Sequence, residues 1–182
     1  MYEAEDIALV EQCLQGDRGA FETLVDRYQQ PVFNIALRMV RRHEDAEDIA
    51  QTVFLKAYQN LDRFDAKYKF FSWIYRMTIN ESINFLDRQK SLEQFREASA
   101  PEQPSADRTM EKADTNRALK SALGRLSPDN RAVIVLRHFE DLSYEEIAQT
   151  LKIPEKTVKS RLFTARRLLA EALTQAKGVS RD

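Results

Sequence analysis

Apolar residues recur every three or four positions along most of this chain, which is the period of amphipathic helices. Near its end, Ile147 and Leu151 give a short apolar face, and Ser143 stands three positions before Glu146, the spacing of a helix capping box. Pro154 marks a tight turn, after which a second apolar series predicts a longer helix. That series consists of Val158, Leu162, Ala165 and Leu169. This stretch is therefore predicted to form a helix-turn-helix.

The opposite face of the second helix is polar and basic, as expected of a helix that enters the major groove of DNA. Two ordinary amphipathic helices with a solvated charged face would show a similar pattern. The coincidence of a short capped helix, a proline-marked turn and a basic second helix favours DNA binding. The residues on this face are Lys156, Lys159, Ser160, Arg161, Phe163, Thr164 and Arg166.

Helical periodicity also predicts the elements of the first half of the chain. A short helix is expected over residues 5–15, and a second pattern runs over 20–40, where Pro31 should kink the helix or begin a new one. The most regular pattern predicts a helix over Ala46–Phe64. Together with the absence of an alternating strand pattern, these elements predict an all-α fold.

The stretch 91–114 loses the apolar period and contains two prolines and an excess of acidic residues, which predicts a flexible linker. It divides the chain into two small helical domains, over 1–90 and 115–182. In the second domain a helix is expected over 116–126, and Ser127 followed by Pro128 should begin the next one.

The helix predicted over Ala46–Phe64 has a second, mixed surface that includes Asp48, Gln51, Thr52 and Leu55. Acidic residues near a helix start interact favourably with the helix dipole, so a solvated helix end explains the carboxylates. It does not explain Leu55, which lies off the main apolar stripe. This surface is therefore either solvated or a contact for a partner.

The segment 68–76 is the densest aromatic stretch, and two interpretations of it remain open. Its rings could belong to the core, which we expect for Trp73 and Phe70. Aromatic rings next to Arg, Lys and Asn also hold unstacked single-stranded bases. The following helix carries Asn80, Asn84, Arg88 and Lys90 at helical spacing.

Charge is distributed unevenly along the chain, although its net charge is −1. Residues 116–182 contain 13 Lys and Arg against 8 Asp and Glu, whereas the preceding residues contain 15 against 21. This asymmetry predicts a nucleic-acid surface at the C-terminal end and leaves the first part free to meet a basic protein.

Several classes of protein are not expected. No run is long enough to span a membrane, the start MYEAEDIALV is not a secretory signal, and Cys13 stands alone, so we expect a cytoplasmic protein. His43 and His138 lack a nucleophile pattern, and no cluster suggests a metal site, so we predict no enzymatic activity, metal or cofactor.

The order of these motifs resembles the extracytoplasmic-function sigma factors of bacteria, members of the sigma-70 family. The resemblance spans about residues 7–170 and rests on DAEDIAQTVFLKAYQNLDRFD, KFFSWIYRMTINESINFLDRQ and LSYEEIAQTLKIPEKTVKSRLFTARRLL. It implies a subunit that binds core RNA polymerase and directs it to promoters of stress or envelope genes. The family is frequently restrained by an anti-sigma factor between the two domains, which we expect as a further partner.

The resemblance also implies roles for individual residues. The contacts implied with core polymerase are Asp48, Gln51, Thr52 and Leu55. The residues implied in melting and reading the minus-10 element are Lys69, Phe71, Arg76, Asn80, Asn84 and Arg88. The residues implied in reading the minus-35 element are Lys156, Lys159, Ser160, Arg161, Phe163, Thr164, Arg166 and Arg167.

Two residues depart from the common family pattern. Lys156 stands where many members have Gly, and Thr164 stands where many have Arg. Because Arg reads guanine with two hydrogen bonds and Thr cannot, the minus-35 preference is expected to differ.

A stand-alone helix-turn-helix regulator is the competing hypothesis, and it would bind a palindromic operator without polymerase. A protein adaptor would leave the basic residues of the second helix unexplained.

Overall fold

The computed structural model describes residues 3–99 and 121–179, with side chains over 4–95 and 121–174. We call these two parts the N-terminal half and the C-terminal half. The described residues contain helices and turns but no strand, which confirms the all-α prediction. The helices of the N-terminal half are α1 (Glu3–Leu14), α2 (Arg18–Val40), α3 (His43–Gln59), a short 3-10 helix (Leu61–Arg63) and α4 (Phe70–Ser99). Those of the C-terminal half, after a helical turn over 121–124, are α5 (Pro128–His138), α6 (Tyr144–Leu151) and α7 (Glu155–Val179).

Helix α2 runs through Pro31 without interruption, so the prediction of a new helix at this position is wrong. Pro31 has no N–H to donate to the Arg27 carbonyl, which costs α2 one hydrogen bond. Tertiary packing compensates, because Tyr28 and Val32 on either side of the proline are buried. The Tyr28 hydroxyl also donates to Asp6 of α1 over 2.5 Å, which fixes this part of α2 against its neighbour.

Helix α3 begins three residues earlier than predicted and ends five residues earlier, at Gln59. Glu44 and Asp45 form its first turn, where carboxylates suit the helix dipole. At the other end, the Asn60 side chain donates to the Lys56 carbonyl over 2.8 Å and closes the last turn.

Helix α4 continues through residues 91–99, which we predicted as the start of the linker. The chain has no proline or glycine between 91 and 99 to end the helix, and the Ser91 hydroxyl donates to the Asp87 carbonyl over 3.0 Å. The loss of apolar period reflects a solvated helix here, since residues 91–95 are exposed. Residues 100–120, which hold the rest of the predicted linker and the start of the helix predicted over 116–126, lie outside the described residues. The domain boundaries stay a prediction.

The predicted helix starts of the C-terminal half are confirmed. The Ser127 hydroxyl accepts the Asn130 N–H over 3.3 Å, with Pro128 at the first helical position. Ser143 and Glu146 form a reciprocal capping box at α6, in which the Glu146 carboxylate accepts the Ser143 N–H over 2.9 Å. Such caps stabilise a helix start by about 1 kcal/mol, which matters for a helix of only eight residues.

The two halves pack against each other along α2 and α4. The Arg131 guanidinium of α5 donates to the Met39 carbonyl of α2. The Arg38 guanidinium lies 4.1 Å from the ring centre of Phe139. Hydrogen bonding and stacking therefore join the end of α2 to the C-terminal half.

Candidate nucleic-acid interface

The outer face of α7 has the exposure expected of a DNA-reading surface. Val158, Leu162 and Ala165 are buried against the rest of the C-terminal half, as the apolar series predicted. Phe163 is 73% exposed, the most of any large apolar side chain described. An exposed ring among cations is costly in water and suits contact with bases or thymine methyl groups. Also exposed on this face are Lys156, Lys159, Ser160, Arg166 and Arg167, whereas Arg161 and Thr164 are half-buried.

Intramolecular partners distinguish the cations of this face. Lys159 pairs with Glu155 one turn earlier over 2.6 Å, which raises its pKa. Arg161 reaches across to Asp129 of α5 over 2.8 Å. Lys159 is exposed and needs only a rotamer change to reach a phosphate, whereas Arg161 must give up a contact between two helices. Arg161 therefore has a structural role in addition to any contact with DNA.

The residues predicted to contact polymerase share one face of α3. Asp48, Gln51 and Leu55 are exposed, and Thr52 is half-buried. Leu55 is 59% exposed, so the core does not account for this side chain. The structure thus brings the four predicted residues together on one accessible surface. That this surface binds core polymerase stays a prediction.

Four of the predicted minus-10 residues form a single stripe along α4. Arg76, Asn80, Asn84 and Arg88 stand four positions apart, so they follow one another along one side of the helix. Asn80, Asn84 and Arg88 are exposed, and Arg76 is half-buried. We call this row the α4 stripe.

Of the other two predicted minus-10 residues, Lys69 contacts the C-terminal half, whereas Phe71 packs within the N-terminal half. Lys69 forms an ion pair with Glu146 of α6 over 3.2 Å, and its Nζ lies 5.6 Å from the ring centre of Phe71. Phe71 packs against Tyr75, with ring centres 5.7 Å apart. The ion pair between Lys69 and Glu146 is thus one of the contacts between the two halves.

The aromatic segment contributes more to the core than to the surface. Phe70 is 1% exposed and is surrounded by rings of Tyr28, Phe64 and Trp73 at centre distances of 5.3, 5.6 and 5.7 Å. Trp73 is half-buried, so the prediction that it lies in the core holds only in part.

Sequence patterns missed two charged residues between the halves. Arg131 is 5% exposed, and burial, followed by the nearby charge of Arg41, lowers its pKa to about 10. Burial also raises the pKa of the Glu140 carboxyl, which faces Arg38 and accepts the Tyr75 hydroxyl proton in a hydrogen bond. Arg131 lies in α5 and Glu140 in the turn after it, where a charged side chain normally faces solvent. Their partners in the N-terminal half, Met39 for Arg131 and Arg38 and Tyr75 for Glu140, are distant in sequence.

The described residues hold no group of His, Cys, Asp and Glu arranged to bind a metal ion. Across these residues no helix has the length and apolar character needed to cross a bilayer.

Two family models match the chain, one on each side of the predicted linker. Sigma-70 region 2 matches residues 24–92, and Sigma-70, region 4 matches residues 116–169. The α3 surface and the α4 stripe fall in the first match, and the outer face of α7 falls in the second.

Curated relatives are similar over nearly their full length. The RNA polymerase sigma-H factor of Pseudomonas aeruginosa is 34% identical, with 93% of this chain and 94% of that protein covered. The ECF RNA polymerase sigma-E factor of Haemophilus influenzae is 36% identical, with 90% and 93% covered.

Solved structures share the same fold. CnrH, in complex with the cytosolic domain of CnrY, has a TM-score of 0.70 and 27% identity over 93% of this chain and 97% of CnrH. The sigma factor RpoE, in complex with the anti-sigma factor NepR from Bartonella quintana, has a TM-score of 0.69 and 25% identity over 85% and 96%. Fold, relatives and the order of the two regions agree, and the chain belongs to the extracytoplasmic-function sigma factors of the sigma-70 family.

Proposed function

We propose that this chain binds core RNA polymerase and directs it to promoters by recognising minus-10 and minus-35 elements. The observation that supports this most is the presence of three separate accessible surfaces on one chain of this family. These surfaces are the polar α3 face around Leu55, the α4 stripe and the basic outer face of α7. A stand-alone regulator has no need for the first two.

The proposed role is positioning rather than chemistry. A sigma factor supplies binding energy and melts DNA, while the polymerase makes the phosphodiester bond, so we propose that this chain has no enzymatic activity. It would act inside the cell, where polymerase and promoter DNA are found. We also propose an anti-sigma factor as a partner, because the similar RpoE structure is a complex of a sigma factor with an anti-sigma factor. The similar CnrH structure is likewise a complex, with the cytosolic domain of CnrY.

Run-off transcription with sequencing of the products tests the proposal. Purified core polymerase, genomic DNA and this chain should give new transcript starts that share two upstream elements. If core polymerase plus the chain gives no new starts, the proposal is wrong. Tight binding of the chain alone to a palindromic duplex would instead support the stand-alone regulator.

Leu55→Asp should weaken binding to core polymerase by about 30-fold or more, the loss typical of a buried interface anchor. The apolar side chain is 59% exposed in the free chain, so the substitution has little effect on folding. Fluorescence anisotropy of labelled chain with core enzyme measures the change.

Leu92→Asp is the matched control for Leu55→Asp. Leu92 is 61% exposed near the end of α4, outside the predicted polymerase surface. Equal losses in both variants would contradict the assignment of the α3 face.

Lys159→Ala should weaken binding of the holoenzyme to minus-35 DNA by about ten-fold while leaving core binding unchanged, since it removes one exposed cation from the outer face of α7. The slope of affinity against salt should also become shallower, because one fewer counterion is released. Electrophoretic mobility shift at several salt concentrations measures both effects.

Lys90→Ala removes the same charge from an exposed position on α4 and serves as the control. A loss of core affinity in Lys159→Ala, with minus-35 binding intact, would show that the two partner surfaces are wrongly placed.

A further inference from the structure

Two arginines on the outer face of α7 are held by side chains of α5, the helix that packs beside it. Arg161 Nη2 donates to Asp129 Oδ2 in the first turn of α5 over 2.8 Å. Arg166 Nε donates to His138 Nε2 at the other end of α5 over 3.4 Å. Helix α5, in which we predicted no DNA-binding residue, thus contacts the proposed minus-35 reading surface at both of its ends.

The two side chains of α5 affect the charge of their arginines differently. Asp129 is a carboxylate, so its negative charge offsets the positive charge of Arg161. Burial, followed by the charges of Arg166 and Arg137, lowers the pKa of His138, so its imidazole is neutral at pH 7. Helix α5 therefore neutralises Arg161 and only orients Arg166, which keeps its charge for DNA.

The ion pair of Arg161 also differs from the others on this face. Two other cations of the face pair with carboxylates one turn away on α7 itself, and their side chains are 59% and 56% exposed, against 27% for Arg161. These two pairs are Lys159 with Glu155 and Arg167 with Glu171. A DNA phosphate reaches those cations after a rotamer change, but it must compete with Asp129, which α5 holds in place, to reach Arg161.

The helix dipole offers a simpler explanation for a carboxylate at Asp129. A negative charge in the first turn of a helix is favourable, and Asp129 lies in the first turn of α5. That explanation does not involve Arg161, which stands 32 positions later on another helix. The two roles can therefore be separated by changing Arg161.

We propose that Asp129 determines specificity by lowering the affinity of this chain for DNA that is not a promoter. Non-specific binding comes almost entirely from cations that meet phosphates, so neutralising Arg161 weakens it. Specific binding also depends on base contacts, which fix the position of α7 in the groove, so it loses less. This role rests on the proposed function in one respect, since the outer face of α7 must be the surface that meets DNA.

Asp129→Asn should raise the affinity of the full chain for a short duplex of random sequence, because it frees Arg161 to bind a phosphate. The pair is partly solvated and therefore weak, so we expect a gain of about three- to five-fold. The dependence of log affinity on log salt should steepen by up to about 0.9, the value for one further phosphate contact. Fluorescence anisotropy at several salt concentrations measures both effects, and an unchanged or lower affinity would overturn the proposal.

Arg161→Gln shows whether the gain comes from the pair or from the loss of any negative charge near DNA. In this background, Asp129→Asn should change the affinity for the random duplex by less than about two-fold, because its partner is absent. Asp129→Glu keeps the carboxylate and should also stay within about two-fold of the unmodified chain. An equal gain from Asp129→Asn with and without Arg161 would contradict the proposed role.

Glu171→Gln is the matched control for charge. It removes one carboxylate from the pair with Arg167, whose side chain is already exposed and lies on the same helix. We expect a smaller gain in affinity than for Asp129→Asn. Equal gains in the two variants would show that Asp129 has no special role on this face.

The melting temperature separates a role in DNA binding from a purely structural one. Asp129→Asn and Arg161→Gln both remove the contact between α5 and α7, so both should lower the melting temperature. Of the two, only Asp129→Asn should bind the random duplex more tightly. A lower melting temperature of Asp129→Asn without any change in affinity would assign the pair to the fold alone.

Two further comparisons test specificity and separate this role from the proposed function. With the minus-35 duplex that run-off transcription identifies, Asp129→Asn should lower the ratio of specific to random affinity by about two-fold or more, and an unchanged ratio would disprove the effect on specificity. Lys159→Gln should weaken binding to the random duplex. If it does not, the outer face of α7 is not a DNA surface, and both the proposed function and this role fail. A loss with Lys159→Gln but no gain with Asp129→Asn rejects this role alone.

Discussion

Phe70→Ala should lower the free energy of unfolding by about 3–5 kcal/mol, the range for removing a fully buried aromatic side chain. Phe70 is 1% exposed, and its ring contacts Tyr28 of α2, Phe64 before α4 and Trp73 within α4. Losing it removes buried apolar area and leaves a cavity that three rings line. Urea unfolding followed by far-ultraviolet circular dichroism measures the change.

Phe95→Ala provides the matched control, because Phe95 is 71% exposed on α4. Its effect should lie within about 0.5 kcal/mol, as for other surface substitutions. Similar losses in both variants would contradict the placement of Phe70 at the centre of the N-terminal core. Destabilisation by Phe70→Ala should also disturb the α4 stripe, since Phe70 fixes the start of that helix.

Arg131→Met should lower the free energy of unfolding by about 2–4 kcal/mol, because it removes several charge-assisted hydrogen bonds from a buried site. The guanidinium donates to the Leu123, Gly124 and Leu126 carbonyls over 2.9, 3.3 and 3.1 Å, and to the Met39 carbonyl. Methionine keeps much of the packing and removes a costly buried charge, whose pKa is lowered to about 10, so the net loss is smaller than the sum of the bonds. Thermal unfolding by calorimetry provides the measurement.

The control for this substitution is Arg88→Met on the exposed side of α4, where the guanidinium donates to the Asn84 carbonyl of its own helix over 3.3 Å and has no other hydrogen bond or ion pair within the described residues. A loss below about 0.5 kcal/mol for Arg131→Met, equal to that of the control, would show that the buried hydrogen bonds contribute nothing net. Because one of the carbonyls belongs to α2, the variant should also loosen the packing of the two halves, which small-angle scattering detects as a larger radius of gyration.

Local signals in the sequence predicted the C-terminal half well. The capping box of Ser143 and Glu146, the cap at Ser127 and the apolar series from Val158 to Ala165 all depend on residues three or four positions apart. Such pairs touch within one helix, so their spacing is sufficient to identify them. The exposed faces of α3 and α7 follow from the same periodicity.

The features that sequence reasoning missed depend on contacts between distant residues. Met39 and Arg131 are 92 positions apart, and no pattern around either indicates that they meet. Pro31 signals a helix break, but packing on both sides of it overrides that local preference. In the aromatic segment, Phe70 is more deeply buried than Trp73, and one of its packing partners is Tyr28 of the distant α2.

Glu146 belongs to two parts of the structure at the same time. Its carboxylate accepts the Ser143 N–H at the start of α6 and pairs with Lys69 of the N-terminal half, and the first of these bonds is the main reason that its pKa is lowered. Moving the halves apart takes away only Lys69, because Ser143 travels with Glu146. The capping box at the start of α6 therefore does not depend on the contact between the two halves.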